Sequence, residues 1–413
     1  MMNKRRMIAL MLALLLGLTA VLSACGTAKE EEKSTATTYP YVFVHGLNGF
    51  GDDKGLPVSY WGSTGGALLP ALEKEGFFCV APTVSAAGSA WDRACELYAA
   101  ITGTRADYGA AHSAEHGHDR FGRTYETALI PDWGTEDDNG NLRKINVIAH
   151  SFGGATARLM GGLLQNGSAA ERDITVKESG EPSPLFAGGK GDWIFSLTCL
   201  ASPHNGTSLL DMADVNPVIS SIASFIGGNV QIDKALSPAG VNFGGKSLGD
   251  ILEAAKTQDT AYFDLTRGGA AQVNKLSALN PNTYYFSYPV DGTDNGKPTK
   301  DMMLPLRVLG GIIGGFTDEA AGIGEEWKPN DGLVNTISAT APFSDTKHDI
   351  KTAEELTLDF AYQPAGWYVM PAVRGDHGSI IGLGRSQEET LPLFLDQMRR
   401  IDALSKKVTG QEK

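Results

Sequence analysis

Tyr41-Val42-Phe43-Val44 is a short unbroken apolar run closed by His45-Gly46. Runs of this kind mark strands buried on both faces. Residues 77–80, 145–149, 193–200, 283–288 and 367–370 read the same way. Between them the spacing changes to the helical period. Leu68, Leu69 and Leu72 share one side of a helix over 66–75, and Ser89 is placed to cap another that runs to residue 101. A third helix is predicted from 152 to about 165, and a last one over roughly 387–404. Strands that alternate with helices predict an α/β fold with a mostly parallel central sheet covered by helices on both faces. Neither an internal repeat nor a shift in composition marks a second domain.

The first residues follow a different pattern. Lys4, Arg5 and Arg6 precede an almost wholly apolar stretch over 7–22, which ends in Leu22-Ser23-Ala24-Cys25. This is the layout of a secretory signal peptide over 1–24. Its ending is similar to bacterial lipoprotein signals, in which Cys25 becomes the lipidated first residue of the mature chain. An ordinary cleavage near Ala24 is the alternative. Residues 25–38 carry almost no apolar side chains and read as a flexible tether, which leaves 39–407 for a catalytic domain. The expected location is outside the cell, anchored to the outer face of the membrane.

The 413 residues suffice for one large core, and a formal charge of −13 excludes nucleic acid as a partner, since a phosphate backbone needs a basic surface. Beyond Cys25, the cysteines are Cys79, Cys95 and Cys199, an odd number set partly in apolar runs. They read as buried free thiols.

Candidate chemistry centres on Ile145-Asn146-Val147-Ile148-Ala149-His150-Ser151-Phe152-Gly153-Gly154. A buried strand ends at a serine, two glycines follow and a helix begins. That is the pattern of a nucleophile elbow, although a plain strand–helix turn gives the same short match. A serine hydroxyl needs a base and an orienting acid, and in α/β-hydrolases these follow in the order Ser, Asp or Glu, His. Downstream of Ser151 lie His204, His348 and His377. His377 follows an apolar strand and precedes the last helix, where the base is expected. Asp331, in Pro329-Asn330-Asp331-Gly332, is placed to be the acid, or else to bond only its own turn. The oxyanion hole needs two main-chain N–H groups, one from Phe152 and one from Leu47 in the loop after the first strand.

With these residues assembled, the chain resembles the zinc-containing bacterial true lipases of the thermophilic-bacillus and staphylococcal group. The resemblance runs from about Tyr41 to the C-terminus. It is carried by His45-Gly46, Tyr60-Trp61-Gly62, Trp91-Asp92-Arg93-Ala94-Cys95-Glu96, Asp107-Tyr108-Gly109-Ala110-Ala111-His112, His116-Gly117-His118, Arg120-Phe121-Gly122-Arg123-Thr124-Tyr125, Ala149-His150-Ser151, Ser202-Pro203-His204, Asp259-Thr260-Ala261 and Asn330-Asp331-Gly332. It implies an α/β-hydrolase fold with a lid insertion and a zinc-binding insertion. It also implies Asp331 as the triad acid and hydrolysis of carboxylic esters of acylglycerols.

It implies further one structural zinc ion held by Asp92, His112, His118 and Asp259. The residues alone give only a histidine cluster, with Asp92 also placed to close a capping box on Ser89. His116 has no role in this scheme. Three departures stand out. Phe152 replaces the usual glutamine, and bears on the acyl pocket. Ser379, Gly384 and Arg385 stand where the family has calcium-binding groups, so that calcium site is expected to be absent. The lid region, about 207–245, is short, with Val218, Ile219, Ile222, Phe225 and Ile226 at helical spacing. A short-chain carboxylesterase with the same triad is the first alternative. A non-catalytic lipid- or wall-binding lipoprotein is the second.

Overall fold

The computed structural model describes residues 39–178, 181–212, 256–343, 350–356 and 360–410. The predicted signal peptide, Cys25, the predicted tether, His348 and all of the expected lid region beyond residue 212 lie outside the described residues.

Among the described residues seven strands form the central sheet: β1 (Tyr41–Val44), β2 (Cys79–Val80), β3 (Ile145–His150), β4 (Ile194–Leu200), β5 (Tyr284–Tyr288), β6 (Ile350–Lys351) and β7 (Trp367–Val369). Their order is β6-β7-β5-β4-β3-β1-β2, and every pairing is parallel. The strand alternation of side chains assigns the two faces. Val42, Val44, Ile145, Val147 and Ala149 pack on one side against helices α2 (Ala90–Thr102) and α4 (Gly153–Asn166). Tyr41, Phe43 and Ile148 pack on the other against α1 (Leu68–Lys74) and α7 (Gln387–Thr409). Helices therefore lie on both faces, as the apolar pattern predicts. Among the described residues no helix is long and apolar enough to cross a membrane.

Local signals account for the ends. Ser89 accepts the Asp92 amide at 3.1 Å and starts α2. Ser386 and Glu389 form a reciprocal capping box on α7, which then runs five residues beyond the expected stop at 404. The strand predicted over 77–80 shrinks to two residues at the sheet edge. Cys79, Cys95 and Cys199 are buried free thiols.

Two helices matter for the chemistry beside the sheet. Helix α3 (Ala110–His116) carries His112 and is held from α5 (Ala169–Glu178) by Glu171, whose carboxylate accepts the Ala111 and His112 amides at 2.9 and 2.8 Å. Helix α6 (Leu304–Gly315) is nearly all apolar. Its Leu306, Leu309 and Ile313 form a third core with Leu209, Met212, Tyr262, Met302 and Leu383, against which Leu47 packs.

Candidate active site and cation cluster

Ser151 stands where β3 passes into α4. Its amide donates to the Leu200 carbonyl of β4 at 2.8 Å, and its carbonyl accepts from Gly154 at 3.0 Å. The backbone there has φ 57°, a left-handed conformation that side chains disfavour. The turn also crowds its neighbours. A Cβ on Gly153 would come within 2.4 Å of the Val44 carbonyl oxygen, so the chain can pass β1 only as glycine.

The structure brings together the three residues that the sequence singles out. His377 Nε2 lies 2.8 Å from Ser151 Oγ, and His377 Nδ1 lies 2.7 Å from Asp331 Oδ2. A carboxylate only accepts, so Nδ1 carries the proton and the Nε2 lone pair faces the serine hydroxyl. The other Asp331 oxygen accepts the Leu333 and Val334 amides at 3.0 and 2.8 Å. The two readings of Asp331 are thus both realised, one per oxygen. The His377 amide donates to the Asp331 carbonyl at 2.9 Å and fixes the two loops together.

The Leu47 and Phe152 amides donate to no protein acceptor among the described hydrogen bonds. Both flank Ser151, since a Cβ on Gly46 would lie 2.7 Å from the Ser151 Cβ. The Phe152 ring is wholly buried in the core beneath the Arg93 guanidinium, 5.1 Å from its carbon. The expected effect of this residue on the acyl pocket therefore has no side-chain exposure behind it.

Further polar groups surround the triad, and sequence reasoning gave them no role. His150 Nε2 is 2.9 Å from the His377 carbonyl oxygen, so it carries a proton, and its Nδ1 accepts from Tyr60 Oη at 2.6 Å. Tyr60 Oη in turn accepts the Gly46 amide at 2.9 Å. Burial, and then the neighbouring His377, hold the His150 imidazole well below its ordinary range. Asp376 ties the Met303 amide, at the start of α6, to the turn that carries His377, at 2.7 Å. His204 is buried against Trp367 and Arg158.

Asp92, His112, His118 and Asp259 form a second cluster. One ligand atom from each lies within 4.8 Å of the others. His112 Nε2 is 3.0 Å from Asp259 Oδ1 and 3.3 Å from Asp92 Oδ1, and His118 Nε2 is 3.2 Å from Asp259 Oδ2. Despite these approaches, Asp92 Oδ1, Asp259 Oδ1 and both Nε2 atoms are buried without a hydrogen bond. Buried polar atoms are rarely left so, and an absent ion is one of the few physical reasons. His118 Nδ1 donates to the Asp119 carbonyl at 2.9 Å, which leaves Nε2 as a bare lone pair turned to the cluster. Burial works to lower the His112 imidazole, but the Asp259 and Asp92 carboxylates outweigh it and hold it at about 9. Two imidazoles and two carboxylates fit a divalent cation. The Trp91 ring stacks on His112 at 5.0 Å, and Asp259 sits at φ 65°. His116 lies beside His112 but outside the four. Ser379, Gly384 and Arg385 make protein contacts, to the Asp376 carbonyl, Thr64 Oγ1 and the Arg374 carbonyl respectively.

Ser151, His377 and Asp331 thus meet beside a parallel sheet flanked by helices. The chain belongs to the Lipase-like, C-terminal domain family, whose sequence profile matches residues 37–391. It is 38% identical over 325 residues to Lipase 1 of Staphylococcus aureus (strain MRSA252), a match that covers 74% of this chain and 46% of that protein. The chain spans about half the length of the curated relatives it matches. Among solved structures, lipase 1 from Pelosinus fermentans is 35% identical with a TM-score of 0.70, covering 89% of this chain and 99% of that one. The Staphylococcus hyicus lipase is 32% identical with a TM-score of 0.71, covering 92% and 99%.

Proposed function

We propose that this chain is a secreted, membrane-anchored serine lipase that hydrolyses the carboxylic ester bonds of acylglycerols through an acyl-enzyme on Ser151. The observation that carries the reading is the 2.8 Å approach of His377 Nε2 to Ser151 Oγ, with Asp331 2.7 Å from the opposite ring nitrogen.

Ser151 Oγ attacks the ester carbonyl while His377 Nε2 takes its proton. Asp331 holds the tautomer and favours the imidazolium that forms. The carbonyl oxygen becomes an oxyanion facing the Leu47 and Phe152 amides, each typically worth about 3 kcal/mol of barrier. As the tetrahedral adduct collapses, His377 passes the proton to the departing alkoxide oxygen and the alcohol leaves. A water molecule then gives its proton to His377, attacks the acyl carbon, and the fatty acid departs as Ser151 regains its hydrogen. The likeness to Lipase 1 of Staphylococcus aureus and to the Staphylococcus hyicus lipase supports this substrate class.

Asp92, His112, His118 and Asp259 would hold one zinc ion. With four protein ligands it supplies structural cross-linking and no activated water. The Ser23-Ala24-Cys25 signal ending supports anchoring through a lipidated Cys25.

The test is labelling by a fluorophosphonate, followed by turnover of nitrophenyl esters from short to long acyl chains. The expected result is that Ser151→Ala loses both labelling and turnover, and that the unaltered protein retains or raises its turnover at long chains. Preference confined to short chains moves the assignment to a carboxylesterase. Absence of labelling in the folded protein leaves a non-catalytic lipoprotein. Release of the protein into the medium by Cys25→Ser checks the anchor.

A further inference from the structure

The two oxyanion donors belong to different elements. Leu47 sits in the loop after β1 and Phe152 in the elbow after β3, so some group must set one against the other. We propose that Arg93, together with His45, is a positioning residue that fixes and polarises this oxyanion hole. This rests on the serine hydrolase reading above.

Arg93 is completely buried. Its Nη2 donates to the His45 carbonyl at 2.5 Å, and its Nη1 to the Ser85 carbonyl at 2.8 Å and the Gly46 carbonyl at 3.3 Å. Its Nε donates to Thr156 Oγ1 at 2.9 Å, on the nucleophile helix. Thr156 Oγ1 passes a hydrogen bond to the Phe152 carbonyl at 3.2 Å, and the guanidinium covers the Phe152 ring. One rigid planar fork therefore grips the Leu47 side and the Phe152 side at once. A lysine, with a compact charge on a flexible stem, cannot span both.

His45 completes the arrangement. The Val84 amide donates to its Nε2 at 3.1 Å, so that nitrogen bears a lone pair, and Nδ1 donates to the Gly46 carbonyl at 2.8 Å. The Gly46 oxygen thus receives hydrogen bonds from His45 and Arg93 together. A trans peptide points its N–H opposite to its C=O, so a grip on the Gly46 oxygen aims the Leu47 N–H. Hydrogen bonds onto that oxygen also draw electron density from the peptide and strengthen the N–H as a donor. The other oxyanion donor, Phe152, needs only the elbow and the Thr156 contact. This explains why a charged side chain is buried here, where apolar packing would suffice for stability alone.

The experiment compares Arg93→Lys, Arg93→Met, Thr156→Val and Thr156→Ser. It reads kcat and KM on a soluble short-chain nitrophenyl ester, the thermal midpoint, and the affinity for an alkyl trifluoromethyl ketone. The ketone carbonyl accepts Ser151 Oγ and becomes an oxyanion, so it probes the hole without turnover. In the Arg93 variants kcat is expected to fall by about tenfold or more with KM unchanged. Ketone affinity should fall by the same factor. Thr156→Val should show a smaller loss in the same sense, which Thr156→Ser restores. Folded variants that keep wild-type kcat and ketone affinity, or that change only KM, overturn the proposal. If the Arg93 variants do not fold, the Thr156 pair decides on the same criteria. Ester hydrolysis that survives in Ser151→Ala overturns the serine hydrolase reading itself, whatever the Arg93 variants do.

Discussion

Around Ser151 the facing polar atoms pair in hydrogen bonds; at the cluster of Asp92, His112, His118 and Asp259 they do not. His377, His150 and His45 each use both ring nitrogens, and Asp331 uses both oxygens. In the cluster, the Nε2 atoms of two imidazoles and an oxygen of each carboxylate meet without a hydrogen bond. The two centres share side-chain types and depth. They differ in how the facing atoms are satisfied, and the pattern of donors sets an arrangement able to pass protons apart from one able to hold a cation.

The contrast can be broken most decisively at Ser151. Ser151→Ala should fold and lose roughly 10⁴- to 10⁶-fold in ester turnover. Asp331→Asn should lose about 10⁴-fold, because the His377 tautomer is no longer fixed. Activity retained in either folded variant, measured with nitrophenyl esters, removes the proton-passing half of the comparison.

The cation half predicts an effect on stability more than on chemistry. With metal at a hundredfold excess over its Kd, the loaded protein should be more stable by about 3 kcal/mol, and a strong chelator should abolish this. Turnover by the molecules that stay folded should change less. Asp259→Asn should lower the melting temperature and make it insensitive to chelator. An unchanged midpoint on chelation, with elemental analysis finding no zinc, would reject the cluster as a structural metal site.

A smaller effect separates the two centres by pH. Burial first, then the Arg93 charge, lowers the His45 imidazole to about 3. An unfolded chain takes up that proton near 6.5. Between these values the unfolded state binds more protons, so stability falls as pH falls. The slope is up to about 1.4 kcal/mol per pH unit for this group. His150 and His204, also lowered by burial, act in the same sense. Asp264, pushed up to about 7 by burial, opposes them across this range. Urea midpoints measured from pH 7 to 4 should therefore decline, and a flat profile contradicts the neutral assignment of His45 and His150.

Much of this was legible in the residues. Apolar runs located β1, β3, β4, β5 and β7, because strands buried on both faces leave few polar gaps. The elbow was visible because a serine there needs small neighbours on a fixed strand–helix junction. His377 followed from chain order. Asp331 stayed ambiguous on spacing alone, since an aspartate that bonds its turn and one that bonds a distant histidine look alike in sequence; the structure has it do both. Asp92 and Asp259 were reachable only through the family resemblance, being far apart in the chain and ordinary in their local settings. The contacts of Arg93, Tyr60, His150 and Glu171 were not readable at all. Each acts on main-chain groups of another element, and main-chain partners leave no mark in a side-chain pattern.

The left-handed backbone at Ser151, φ 57°, has one more consequence. Glycine tolerates that conformation and alanine does not, so Ser151→Gly should resist denaturation better than Ser151→Ala by about 1 kcal/mol, although both are inert toward esters. Equal denaturant midpoints for the two would show that the bend is relaxed. Backbone preference alone favours glycine at this position, so the Ser151 hydroxyl is held there at a conformational cost.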